Sequence, residues 1–322
     1  RAGGGIEVID GTVSLTNVNL INNDAGSAAP APGNGGGLHA TGTANVMISG
    51  GSVFGNVASR EGGGLWNSTG TMTVSNGTLI QGNTASGDAA DDGGGGIFNN
   101  GGIVIVDGSL APVVITSNYA DGILGSGGGI FNNVGTITVQ DSEITANEAE
   151  RAGGGIEDRN SAGTAITLTD VILDGNIVHG TDVTAPGNGG GLHVTGSGGV
   201  LISGGTVSGN TAALEGGGLW NGLGIMTISN GTIIDSNIAS GDALDDGGGG
   251  IFNNGGTLTI DGTTSLVTIS NNSADGTAGS GGGIFSTAGT VSITSANLTF
   301  NAANRAGGGI EVIDGTVSLT NV

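Results

Sequence analysis

The chain has 322 residues, with 73 Gly, 4 Pro, no Cys, and only five basic residues against 27 acids, for a formal net charge of -22. This excludes a collagen helix, which needs glycine at every third position and abundant proline, and it excludes disulfides and thiolate metal sites. The summed negative field also sets the chain against nucleic acid and anionic lipid, and no apolar run is long enough to span a membrane.

With 36% hydrophobic residues arranged in short alternating runs of Val, Ile and Leu, the chain can bury a face and should fold. It opens on Arg1 without a signal-peptide pattern, as expected of an excised or processed piece.

Self-similarity dominates the sequence. The string RAGGGIE recurs at Arg1, Arg151 and Arg305, dividing one continuous rod, 1–322, into copies 1–150 and 151–304 and a partial copy 305–322. GNGGGLH, EGGGLWN and ASGDA(A/L)DDGGGGIFNNGG recur in both full copies, and residues 305–322 are identical to residues 1–18.

Within each copy a shorter unit begins at a glycine triplet followed by Ile or Leu. The third glycine falls at Gly5, Gly37, Gly64, Gly96, Gly129, Gly155, Gly191, Gly218, Gly250, Gly283 and Gly309, at spacings of 26 to 36 residues. A second β-like run follows, such as Thr71-Met72-Thr73-Val74, then a turn such as Asn76-Gly77, then a third run such as Thr78-Leu79-Ile80. Each unit then reaches an Asn: Asn23, Asn56, Asn83, Asn118, Asn147, Asn176, Asn210, Asn237, Asn272 or Asn301. A variable loop leads to the next triplet.

Three strands of this length cannot bury a face alone, but stacked coils close a continuous core. The expected fold is therefore all-β: a right-handed parallel β-helix of about ten complete coils with three short strands each, roughly 48 Å long. Alternation should send Met72, Val74, Ile137 and Val139 inward and Thr73 and Thr138 outward. The Asn series is expected to form a structural amide ladder supporting left-handed geometry at a corner.

GGGIFNN, followed by GTITV and then ITANEA, resembles the right-handed parallel β-helix repeats of bacterial surface proteins. It is similar to the GGAI and FxxN repeats of chlamydial polymorphic outer-membrane autotransporters, with GGGI or GGGL where GGAI is usual. The resemblance covers essentially the whole chain. It implies an extracellular or cell-surface location and a role as stalk, adhesive passenger or enzyme scaffold.

Three features are candidate sites. The residue after each GGG(I/L) forms the column Glu7, His39, Trp66, Phe98, Phe131, Glu157, His193, Trp220, Phe252, Phe285, Glu311. Strand parity points it away from the core, so His39, Trp66, Phe98, Phe131, His193, Trp220, Phe252 and Phe285 are candidates for contact with a surface glycan or protein. The reading weighed against contact, and slightly preferred to it, is that the variable loops cover the column as a satellite cluster.

His39 and His193 are too far apart to share a metal and are expected at the surface. Asp88, Asp91 and Asp92, repeated as Asp242, Asp245 and Asp246, form oxygen-rich loops of the kind Ca²⁺ accepts, but their spacing fits no familiar Ca²⁺ motif and a solvated acidic loop is the preferred reading, with Ca²⁺ binding the alternative. No other cofactor is expected. Outward Ser14, Thr73, Thr138, Thr167, Thr227, Thr259 and Ser292 resemble an ice-binding array, interrupted by Met47, Ile105 and Leu201.

Catalysis is not expected. Pectate-lyase-like enzymes use an Arg or Lys base, and the chain has no Lys, while Asp91-Asp92 and His179-Gly180 occur without the RIK motif of polygalacturonase-like enzymes. A duplicated acidic cluster also does not make one asymmetric cleft. The expected function is a structural repeat segment of a long secreted bacterial surface protein or fibre, continuing as more β-helix or associating end to end. A glycan-binding adhesin passenger is the alternative, and a polysaccharide-cleaving enzyme comes third.

Overall fold

The computed structural model describes residues 3–26, 33–180 and 186–322; Arg1, the first of the three repeat-marker arginines, lies outside them. The fold is a right-handed parallel β-helix; the described residues contain no helix, and every named strand pair is parallel. A 26-stranded sheet winds along the rod, and beside it runs a sheet of ten two-residue strands, one for each complete coil.

The expected core is present. Met72, Val74, Ile137 and Val139 are at most 1% exposed, and they belong to one aliphatic cluster running from Val8 to Ala296. Register holds across the copies: Leu65 faces Leu38 on one side and Ile97 on the other, and the outward column runs Ser14, Met47, Thr73, Ile105, Thr138 in adjacent rungs. Met47 and Leu201 are 47% and 43% exposed, so apolar side chains do interrupt the hydroxyl array.

Two sequence expectations need correction. Each coil has a fourth strand, such as Thr84–Ala85 or Tyr119–Ala120, directly after the ladder Asn. It is built on the pattern N-x-A, with N-x-V at Val178, and the small inward residue is buried in nine of the ten coils, from Ala25 through Ala274. In some coils strands also merge, as in Ile97–Asp107 and Asn45–Phe54. The left-handed corner residue is not the ladder Asn but its predecessor: Asn22, Gly55, Gly82, Ser117, Ala146, Gly175, Gly209, Ser236, Asn271 and Phe300 all have positive φ.

The glycine triplet owes each position to a different constraint, as coil 3 illustrates. Gly62 turns the chain at φ +64°, where a Cβ costs energy. A Cβ on Gly63 would lie 2.4 Å from the Thr84 carbonyl oxygen of the fourth strand, and one on Gly64 would lie 2.6 Å from the Gly96 oxygen. The triplet brings the first and fourth strands of the coil into backbone contact, closing its narrow end.

Candidate functional site

The ten ladder asparagines form one hydrogen-bonded column, buried from Asn56 to Asn272 and half-buried at Asn23 and Asn301. Asn118 donates its backbone N–H and its Nδ2 to Asn147 Oδ1 at 3.0 and 2.9 Å, and its Nδ2 also donates to the Ile80 carbonyl at 3.0 Å. Asn118 Oδ1 in turn accepts two bonds from Asn83, at 3.0 and 2.8 Å. The same pattern joins Asn23, Asn56 and Asn83 at one end and Asn147, Asn176, Asn210, Asn237, Asn272 and Asn301 at the other. Donors and acceptors are saturated inside the rod, so the ladder is scaffold.

The aromatic column lies outside the main core, as parity requires, but it is covered rather than exposed. Trp66 and Trp220 are 7% exposed, while Phe98, Phe131, Phe252 and Phe285 are at most 1%. The segment leading into each triplet passes over the column. Consequently a Cβ on Gly62 would come within 3.0 Å of Trp66 Cβ, and one on Gly94 within 2.9 Å of Phe98 Cβ.

The rings follow one another along the rod in two groups, stacked in the first and in the second tilted at His193–Trp220, stacked at Trp220–Phe252 and edge-to-face at Phe252–Phe285. His39, Trp66, Phe98 and Phe131 have successive centroids 4.4, 6.3 and 5.0 Å apart; His193, Trp220, Phe252 and Phe285 have them 4.4, 6.0 and 5.3 Å apart. His39 and His193, expected at the surface, are 5% and 2% exposed. Burial pushes His39 down to about 4. These eight residues form a buried second layer beside the main core.

Acidic groups that sequence reasoning passed over are built into this second layer. The Trp66 indole N–H donates to Glu61 at 2.8 Å and that of Trp220 to Glu215 at 2.8 Å; Asn34 and Asn188 donate to the same carboxylates. Burial outweighs these bonds and raises both glutamates to about 7. The signal was in EGGGLW, where the acid before the triplet accompanies the tryptophan after it.

Between the two stacks lies Glu157, fully buried. Its Oε1 takes Arg151 Nη2 at 3.0 Å and its Oε2 lies 2.6 Å from His193 Nδ1. Burial alone would raise this carboxyl, but His193 and Arg151 hold it below its ordinary value. The repeat marker RAGGGIE therefore contains an ion pair, made again by Arg305 and Glu311 at 2.8 Å.

One step further along the strand, Asn67, Asn99, Asn132 and Asp158 form a short second ladder. Asp158 Oδ2 has no partner among the described residues, and burial raises this carboxyl to about 7.

The carboxylates of the aspartate loops are engaged separately, mostly by backbone N–H groups. Asp88 accepts from the Ile123 N–H and Asp242 from the Thr277 N–H, while Asp92 and Asp246 accept from the Ala89 and Ala243 N–H groups. Asp92 also pairs with Arg60 at 2.8 Å. Asp91 and Asp245 bring no third acid into register: among the described residues no group of three or more His, Asp or Glu is placed to hold a metal ion.

Residues weighed for catalysis are likewise used to tie coils together. Arg159 reaches the Ala90 carbonyl at 3.5 Å, and His179 Nε2 lies 2.8 Å from Glu148 Oε2. No protein-family model, curated protein or solved structure matches this chain.

Proposed function

We propose that this chain is a load-carrying rod: a structural repeat segment of a secreted bacterial surface protein or extracellular fibre, related in repeat type to the autotransporter passengers it resembles. The observation that carries this reading is the disposition of its polar and aromatic side chains. The residues most suited to recognition, two Trp, four Phe, two His and ten Asn, are spent on joining one coil to the next. What remains outward is mainly Thr, Ser, Asn and Asp with scattered aliphatics and two isolated aromatics, Phe54 and Phe300, and the net charge of -22 opposes lateral association of such rods.

The glycan-binding alternative loses its main support, because the aromatic column that motivated it is covered. Polysaccharide cleavage has no support beyond the fold, which hosts many functions.

The test is antibody labelling of intact source cells, combined with an array of glycans probed with the purified chain. The reading expects labelling without permeabilisation and no glycan retained above background. Labelling only after permeabilisation, or retention of one glycan class that is lost on substitution of an outward residue, would overturn it.

A further inference from the structure

The face that the second strand of each coil turns outward carries no charge, in a chain with 27 acids. Two columns of side chains cover it rung by rung, one running from Thr12 to Thr290 and the other from Ser14 to Ser292, and neither contains an acid or an arginine. The acids look elsewhere. Glu143, Asp174 and Asp235 are outward on the third strand, and Glu148 is outward on the fourth. Asp107 and Asp261 stand only at the rim of the neutral face, as the last residues of their strands.

Two departures from the repeat on this face are complementary. In coil 4, Ile103 projects 45% exposed from the first column, with Ile105 beside it in the second. In coil 7, Gly199 leaves a depression of about 340 Å³ in the first column, bounded by Thr164, Leu201, Ile225 and Thr227. Neither feature occurs twice: Ile103 corresponds to Thr257 in the second copy, and Gly199 to Asn45 in the first. Each chain therefore has one knob and one hole.

We propose that two copies of this chain pair side by side through this neutral face, antiparallel, with Ile103 of each seated in the Gly199 depression of the other. This rests on the rod reading above and specifies what one rod meets along its side. A two-fold axis parallel to the strands, midway between coils 5 and 6, sets each column against itself and coil 4 against coil 7. It seats both knobs at once and closes the assembly at two. The same operation brings Asp107 opposite Ser203 and Asp261 opposite Ser49, so each rim carboxylate meets a hydroxyl. A parallel pair would instead turn Asp107 toward Ile103 of its own coil, covering a carboxylate with an aliphatic side chain. Ten coils at ~4.8 Å and five strand residues at ~3.3 Å give about 800 Å² per rod, the area a standard interface takes from each partner. The net charge opposes pairing on the other faces, but here the acids point away, and beyond about 8 Å physiological salt screens them.

The absence of cysteine permits a direct test of the register. Thr73 and Thr227 are outward in coils 3 and 8, and the proposed axis sets Thr73 of one chain against Thr227 of the other. With a bismaleimide whose reach matches the ~10 Å between packed sheets, a mixture of Thr73→Cys and Thr227→Cys chains is expected to give roughly tenfold more cross-linked dimer than either chain alone. Cross-linking of Thr73→Cys alone as efficiently as the mixture would mean that like coils face each other, and would overturn the antiparallel pair.

Sedimentation equilibrium of the unaltered chain supplies the second arm. The dimer fraction is expected to rise from about 0.01 M to about 1 M salt, because salt screens the repulsion and leaves the apolar contacts in place. Leu201→Glu puts a charge into the face and should raise the dissociation constant roughly tenfold or more, whereas Thr268→Glu, outward on the third strand, should change it less than about twofold. Both variants are checked for an unchanged β spectrum and melting temperature. A monomer up to ~1 mM at every salt, or equal effects of the two variants, would overturn the pairing. So would freezing-point hysteresis from a monomer, which would assign the face to ice. The cell-surface and glycan tests judge the rod reading separately.

Discussion

His193 Nδ1 lies 2.6 Å from Glu157 Oε2 in a site where neither side chain is more than 3% exposed. This contact, one rung beyond Phe131, divides the aromatic column into two stacks and marks the seam between the copies. Arg151 supplies the compensating charge, so the group is a buried triad rather than a lone ion pair. Removing one member strands the others in a poorly solvated layer.

Glu157→Ala is accordingly expected to destabilise the rod by about 3–5 kcal/mol, read as a lowered urea midpoint. The Arg151→Met, Glu157→Met, His193→Phe triple variant should recover most of that loss, because no unpaired charge remains. A single-variant loss below ~1 kcal/mol would mean that water reaches the triad.

Stability should fall as pH rises from about 4.5 to about 7 and level off above that. Glu61, Glu215 and Asp158 are each raised by burial to about 7. Above the ordinary carboxyl range the unfolded chain ionises freely while the folded chain resists, so folding loses free energy until pH passes the folded value. His39, pushed down to about 4, works in the opposite sense and costs stability below pH 6.5. Three groups outweigh one. Because Trp66 and Trp220 are the only tryptophans and both donate to these glutamates, indole fluorescence should titrate with a midpoint about 7. Glu61→Gln with Glu215→Gln should flatten that titration and raise stability at pH 8 by on the order of 1–3 kcal/mol.

A methyl group at a closure glycine should be costly. A Cβ at Gly95 would meet the Tyr119 backbone at 2.6 Å, whereas one at Gly309 meets nothing within 4 Å. Gly95→Ala is expected to lower stability by roughly 3 kcal/mol and Gly309→Ala by less than about 0.5 kcal/mol, by thermal unfolding.

Chelation should leave the melting temperature unchanged. The aspartates at 88, 92, 242 and 246 already accept backbone N–H groups, so ion removal would have no folded-state ligand to withdraw. A fall with EDTA that added Ca²⁺ reverses would show that the loops bind the ion after all.

Most of the fold was legible because a solenoid writes its register into its repeat. The triplets, the T-x-T-x runs and the ladder Asn fixed coil boundaries, inward faces and pairing. The fourth strand was harder to see: two residues give no period, and only the recurring Ala of N-x-A betrays it. At the aromatic column the sequence left contact and loop cover both open, for a different reason. Parity states which face of a strand a residue occupies but not what passes over that face. The cover comes from the chain entering each triplet, which Gly62 and its equivalents fold against the column. Arg151 and Glu157 stood in plain view inside RAGGGIE, yet six residues apart along an irregular segment they gave no sign of meeting.

The central claim is that one unbroken ladder makes the two copies a single rod. Hydrogen exchange, followed by mass spectrometry with electron-transfer fragmentation, tests it at the amides of Asn118, Asn147, Asn176 and Asn210, which span the seam and each donate to the next Asn Oδ1 at 2.9–3.0 Å. The account predicts that these four exchange together and as slowly as Asn83 and Asn237, with protection declining only toward residues 305–322. Rapid exchange at Asn147 and Asn176, with slow exchange on either side, would mean that the copies are two bodies joined at a hinge, and would contradict it.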